Sequence, residues 1–166
     1  SLKRNYIEEI KKCGDTLYKK DQYWEWVPLS AGSKAIDTLS SALGITVAYI
    51  KKKKGVWLVD HNKESNLDNL AVKQLMSLDE QLDEMIQTKY QFISYNGLRR
   101  EKFKTMTSNY DVNIFDHSVV VIDEVHNFIS RISNKLDKEK NITHDKNGDP
   151  EKFPVSMALV LYEMLL

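Results

Sequence analysis

A single cysteine, Cys13, stands in this sequence, so no disulfide can close within the chain. That usage suits a reducing compartment. No apolar run approaches the roughly 18 residues that a membrane-spanning helix needs, and the first residues do not read as a signal peptide. The expectation is an intracellular protein. Net charge is also missing: 24 basic residues balance 24 acidic ones. A neutral chain has no bulk field to draw in nucleic acid, so any such surface must be local. No internal repeat is visible, and no low-complexity tract beyond Lys51-Lys52-Lys53-Lys54. Also absent is any Gly-x-x-x-x-Gly-Lys-[Ser/Thr], the loop that cradles nucleotide phosphates.

What is there is ordinary globular material. Hydrophobic residues make up 42% and charged residues 29% of 166 positions, enough for one domain with a real core. Both ends read as cut: Ser1-Leu2 opens directly into a helical pattern, and Val155 to Leu166 stops inside an apolar one. Leu2, Tyr6, Ile7 and Ile10 set a helical stripe over 2–13, with Ser1 as N-cap and Gly14 closing the end. Tyr23 to Val27 reads as a short strand stopped by Pro28, and a helical turn fits around 34–43.

Ile45–Ile50 and Val56–Val59 read as two strands of a hairpin, with the four lysines and Gly55 as its basic tip. Leu67, Leu70, Leu75, Leu78, Leu82, Met85 and Ile86 predict a helix over 67–88, capped by Ser65 or Asn66. Tyr90–Tyr95 and Ser118–Asp123 read as strands, the second apolar enough to be covered on both faces as in a parallel sheet. Helices are expected after Asn96-Gly97 to about Met106, over 126–136, and from Pro154. A charged loop fills 137–152. Alternating strands and helices predict an α/β fold with a parallel sheet.

The chemistry centres on Val119-Val120-Val121-Ile122-Asp123-Glu124-Val125-His126. Two carboxylates at the C-terminal end of a buried strand occupy the place where open α/β sheets bind ligands. Burying both is costly unless a cation compensates. A nucleotide-borne Mg²⁺ would do so, with Asp123 holding the metal and Glu124 positioning the attacking water. His126 would reach toward the γ-phosphate side or toward a neighbouring coupling motif. The plainer reading is an acidic helix N-terminus, which Asp and Glu favour.

This octapeptide resembles the Asp-Glu-x-His motif II of superfamily-two helicases. Ser1-Leu2-Lys3-Arg4-Asn5-Tyr6 resembles the end of motif Ia, and Phe92-Ile93-Ser94-Tyr95-Asn96-Gly97-Leu98 is similar to motif Ib of Swi/Snf-type ATPases. The stretches SLKRNYIEEIKKCGD, YNGLR and IDEVHNFISRI are similar, in that order, to helicase-like ATPases of large nucleocytoplasmic DNA viruses. The likeness covers roughly 1–27, 90–136 and the last helix.

That resemblance implies a RecA-like motor using ATP and Mg²⁺ on DNA, in host cytoplasm or virion, with RNA polymerase or transcription factors as partners. It implies a partial lobe in 1–27 and 89–166, with 28–88 as an inserted hairpin plus helix. Lys3, Arg4, Asn5, Ser94, Tyr95 and Asn96 then match backbone-contacting positions, and Asp123, Glu124 and His126 the catalytic ones. Helix N-termini and short polar groups do bind phosphates without reading sequence. The chain departs from the family in lacking the phosphate loop, motif III and the second lobe with its arginine finger. By itself it is expected to hydrolyse essentially no ATP.

Lesser signals are weaker. Asp145 to Asp149 fails the calcium-loop ligand pattern. Asn141-Ile142-Thr143 is a glycosylation sequon without use in a reducing compartment. His61, His117 and His144 lack zinc-ligand spacing. Lys51–Lys54 reads first as a solvated turn and second as a contact for DNA or a partner. Trp57 is expected to pack inward, Trp24 and Trp26 to share one strand face, and Cys13 to face the core. Two other functional classes stay open: a non-catalytic DNA- or polymerase-binding adaptor that kept the fold, and an unrelated metal-dependent hydrolase using the carboxylate pair.

Overall fold

The computed structural model describes residues 2–94, 98–140 and 157–166, side chains of 135–140 excepted. The fold is mixed α/β and divides into two compact units, 1–92 and 93–166.

In the first unit, helix α1 spans Leu2–Cys13 and turns Ile7 and Lys11 inward. Gly14 ends it: its N–H donates to the Ile10 carbonyl at 2.9 Å, and a Cβ there would lie 2.5 Å from that same oxygen. Cys13, expected inside, is exposed, two residues past Lys11 of the buried stripe, and its Sγ contacts the Glu9 carbonyl oxygen at 3.2 Å. Strand β1, Trp24–Pro28, follows, then helix α2, Ala35–Leu43, closed by a left-handed Gly44 at φ 64°.

The expected hairpin is not formed. Val47–Lys53 is a helix, α3, because Thr46 stays extended and its hydroxyl accepts the Tyr49 N–H at 3.1 Å, an N-cap that the β-branched run concealed. Lys54 closes the helix at φ 62°, with its N–H on the Ile50 carbonyl at 2.8 Å. The lysine run is therefore a helix C-terminus, where cations complement the dipole, and not a hairpin tip.

Strand β2, Gly55–Val59, pairs instead with β1, antiparallel, in the register Trp24↔Val59, Trp26↔Trp57, Pro28↔Gly55. The Trp26 and Trp57 rings meet edge to face at 5.4 Å.

Two side-chain amides complete this small sheet. Asn66 accepts from the Trp24 N–H at 2.9 Å and donates to the Trp24 carbonyl at 3.0 Å. Gln81 does the same for Trp57, at 2.8 Å on both sides. Each amide replaces one residue of a neighbouring strand. Asn66 is thereby unavailable as the helix cap: Leu67–Asn69 forms only a 3-10 turn, and helix α4 begins at Val72 and runs to Lys89. The Gln74 side chain accepts the Ala71 N–H at its start. Leu78, Leu82, Met85 and Ile86 of α4 pack with Trp24, Trp57, Ile50 and Val56 in one core. Residues 1–27 and 28–88, read from the sequence as lobe and insertion, share it.

The second unit is helical. Helices α5 (Arg100–Met106), α6 (Val125–Lys140) and α7 (Met157–Leu165) bury Phe103, Phe128, Ile132, Leu159 and Leu161. The Asn113 amide donates to the Met164 carbonyl at 2.7 Å.

Tyr90–Ser94 and Ser118–Ile122 are irregular where strands were expected. Val119 and Val121 are 94% and 84% exposed, the reverse of a strand covered on both faces. A strand exists only with a partner ladder, and among the described residues the sheet is the antiparallel β1–β2 pair. No RecA-like parallel sheet is present among them. Pro154, and the sequence features at 141–149, lie outside the described residues.

Gln81→Leu keeps the volume but leaves the Trp57 N–H and carbonyl unpaired in a buried place. Each such group costs about 1–3 kcal/mol, so the variant should lose roughly 2–4 kcal/mol in urea unfolding. A loss below half a kcal/mol would show that the amide does not close the edge.

Candidate functional site

The Asp123–His126 segment forms the entry to α6. Phe128 and Ile132 are buried one and two turns on, and they fix the helix against the second core. Asp123 precedes the helix, and its Oδ1 accepts the Glu124 N–H at 2.9 Å. Glu124 is left-handed at φ 52°, and its carbonyl accepts the Asn127 N–H at 2.9 Å, opening the first turn. A non-glycine residue in that region is strained, and strain of this kind gathers at ligand sites and switches.

The Glu124 Oε2 lies 3.3 Å from the His126 Nδ1, with the two side chains 61% and 71% exposed. An imidazole on a carboxylate fixes the orientation of both. The exposed setting corrects the premise of two carboxylates buried at a strand end: here solvation, not a required cation, balances their charge. The acidic pair does sit at the positive end of the α6 dipole.

Lys3, Arg4 and Asn5 occupy the exposed first turn of α1, in the first unit. The Lys3 Nζ donates to the Gln87 Oε1 at 3.1 Å and stands 5.5 Å above the Phe92 ring. Phe92 in turn meets Tyr6 at 6.5 Å. Lys3 thus straps the end of α4 to α1, while Arg4 and Asn5 point to solvent. Ser94 is exposed and belongs to the second unit. Tyr95 and Asn96 lie outside the described residues.

Beside Lys3 and Arg4, a cleft of about 200 Å³ is lined also by Ile7, Glu8, Asp79 and Asp83. Glu8, Asp79 and Asp83 bring their carboxylates within 4.8 Å of one another, a spacing that a metal would accept. The cation already there is an ammonium. The Lys11 Nζ lies 2.6 Å from Asp83, 3.0 Å from Asp79 and 3.4 Å from Glu8, and Lys20 reaches Asp79 at 3.0 Å.

Burial works against the charge on Lys11, but its hydrogen bonds to Asp83 and Asp79 outweigh that and raise its pKa above the ordinary 10.5. Burial likewise opposes the charge on Asp79, and hydrogen bonds from Lys20 and Lys11 prevail, lowering it below 3.8. Sequence reasoning missed this group. Its signal was a lysine four residues after Ile7 on the buried stripe, with two aspartates at i, i+4 on α4.

No family model, no curated protein and no solved structure matches this chain.

Lys11→Met should destabilise the first unit. Removing one partner of a buried pair costs about 3–5 kcal/mol, and the partly exposed carboxylates reduce this to roughly 1–3 kcal/mol. Asp79 has a lowered pKa, so its contribution is present above pH 3.8 and lost as pH falls through the folded value. Lys11 has a raised pKa, so its contribution is present below pH 10.5 and lost as pH rises through the folded value. Urea midpoints of wild type and variant should stay apart at neutral pH and converge at the acid limit. A gap independent of pH down to acid unfolding would rule the ion pairs out as its cause.

Proposed function

We propose that this chain supplies the metal-holding and water-positioning groups of a nucleic-acid-dependent ATPase of the superfamily-two type, acting in viral transcription. The observation that carries the reading is the Glu124–His126 contact at 3.3 Å, placed directly after Asp123 at the head of α6. It sets the residues of the Asp-Glu-x-His motif in one exposed group, open to a substrate arriving from solvent.

Asp123 and Glu124 offer hard oxygen ligands, the donor type that Mg²⁺ takes, so the residues fit the ion that ATP carries. In this reading Asp123 would hold the Mg²⁺ that ATP carries, and the ion would supply electrostatic stabilisation of the phosphate. Glu124 orients the attacking water, and His126 fixes the Glu124 carboxylate through its Nδ1. The phosphate loop and an arginine finger are to be provided by sequence other than these 166 residues.

Nucleic-acid contact falls to the first turn of α1. Arg4 and Asn5 are exposed there, and a helix N-terminus with a free guanidinium suits a phosphate backbone. Lys3, tied to Gln87 and Phe92, contributes its charge from a held position. Ser94, Tyr95 and Asn96 are the further backbone-contacting positions that the resemblance assigns. DNA is the expected ligand, with RNA polymerase or a transcription factor as protein partner.

The lack of a phosphate loop favours a second reading, a DNA- or polymerase-binding adaptor without catalysis. Both readings predict that the chain binds duplex DNA in a salt-dependent way, and that Arg4→Gln flattens the plot of log affinity against log salt by about one unit. An unchanged slope would remove Arg4 from the interface. Catalysis separates the readings. In a protein that joins this chain to a phosphate loop and second lobe, Glu124→Gln should abolish DNA-stimulated ATP hydrolysis while nucleotide binding persists. Unchanged turnover in that variant would exclude Glu124 as the water-positioning group.

A further inference from the structure

Helix α3 carries more charge than its own stability needs. Lys51, Lys52 and Lys53 form its last turn, and Lys54 closes it in the left-handed region at φ 62°. Cations in a last turn offset the helix dipole, but that dipole amounts to only about half a unit charge. Lys54 also occupies a position where a side chain is a cost. Helix α2 ends on Gly44 at φ 64°, and glycine takes that backbone without strain. Lys51 and Lys54 stand three residues apart, a neighbouring spacing at which like charges repel. Residues that break local rules without a structural return gather at functional sites.

The four lysines are not equivalent. Lys53 is committed: its Nζ binds Glu80 of α4 and stands 5.8 Å over the Tyr49 ring. Lys51, Lys52 and Lys54 are exposed, and none of them pairs with a carboxylate among the described residues. Their backbone is held in place. Ile50 is fully buried, the Lys54 N–H donates to the Ile50 carbonyl at 2.8 Å, and the Lys54 carbonyl accepts the Leu29 N–H at 3.0 Å. Three uncommitted ammoniums thus stand within four residues of a fixed helix end, in a chain whose total charge is zero.

We propose that Lys51, Lys52 and Lys54 form a contact for the phosphate backbone of duplex DNA. The choice of DNA rests on the function proposed above, whereas the patch itself requires neither ATP nor the Asp123–His126 group. Neighbouring side chains select the class of polyanion. Single strands are held by stacking bases on exposed aromatic rings, and the ring in α3, Tyr49, is half-buried beneath Lys53. A membrane surface is held by apolar side chains sunk beside the lysines, and here Ile50 is buried and Val47 half-buried. Point charge remains, and it meets regularly spaced phosphates without reading sequence.

Anisotropy titrations of the full chain with a short duplex of arbitrary sequence test the patch. Lys51→Gln with Lys52→Gln and Lys54→Gln should flatten the plot of log affinity against log salt by about 2–3 units, since each phosphate contact contributes about 0.9. Lys53→Gln should leave that slope in place, because its charge is spent on Glu80. Lys54→Gly alone should raise the urea midpoint and flatten the slope by about one unit. A lysine with a purely structural role would not move the two in opposite senses. An unchanged slope in the triple variant, while Arg4→Gln still flattens it, overturns the patch and leaves the α1 contact standing. The reverse pattern supports the patch and removes Arg4. A wild type that binds no duplex overturns the proposal, as does tighter binding to a single-stranded oligonucleotide or to phosphatidylcholine vesicles containing phosphatidylserine.

Discussion

Everything in the first unit depends on how a two-stranded sheet can be kept in a core. Two strands have two open edges, and an isolated pair is marginal in water. Here Trp24 and Trp57 are 1% and 3% exposed, so their outward backbone groups cannot turn to water. Asn66 and Gln81 answer the need with one amide each, donor and acceptor together, mimicking an adjacent strand. Gln81 also determines how α4 lies, because its side chain must reach β2 while Leu78, Leu82 and Met85 fill the space beneath. The ion pairs of Lys11 with Asp79 and Asp83 then hold the opposite side of α4 to α1. The helix is fixed by polar groups on two sides and by apolar packing between them.

Among its described residues the second unit forms no sheet. Phe103, Phe128, Ile132, Leu159 and Leu161 bind three helices together, while Val119 and Val121 stay exposed and Ile122 packs against that core. The backbone of this stretch enters and leaves through left-handed residues, and the Asp123–His126 group follows directly on it. The Asp123–His126 group thus sits between a helix anchored by Phe128 and Ile132 and the exposed Val119–Val121 stretch. That arrangement gives the acidic pair access to solvent while Phe128 and Ile132 anchor the helix it heads.

Charge is arranged locally throughout, as a neutral total requires. Lysines gather at the end of α3, where Lys53 meets Glu80 and stands over Tyr49, and aspartates line α4, where Lys11 and Lys20 meet them. Burial and the neighbouring Glu80 push the Tyr49 phenol up to about 12, so it stays neutral beside these charges. In the first turn of α1, Arg4 is exposed and borders the cleft lined by Glu8, Asp79 and Asp83.

The sequence by itself determined α1, β1, α2, β2, α5 and most of α4, α6 and α7, because apolar spacing and glycine or proline stops act locally. It also singled out Asp123, Glu124 and His126, though as groups at the end of a buried strand that the described residues do not form. Tertiary structure alone decided the rest. Ile45–Ile50 carries strand-forming residues, yet the Thr46 cap and a place for Ile50 in the core made it a helix. Val56–Val59 was recognisable as a strand, but its partner was 30 residues away. Asn66 had the identity of a cap and was spent on β1, so α4 began later. Ser118–Ile122 had the composition of a covered strand and, with no ladder to join among the described residues, left Val119 and Val121 exposed while Ile122 packed against the second core. Propensity is a property of neighbouring residues, whereas pairing and burial depend on what the folded chain brings alongside.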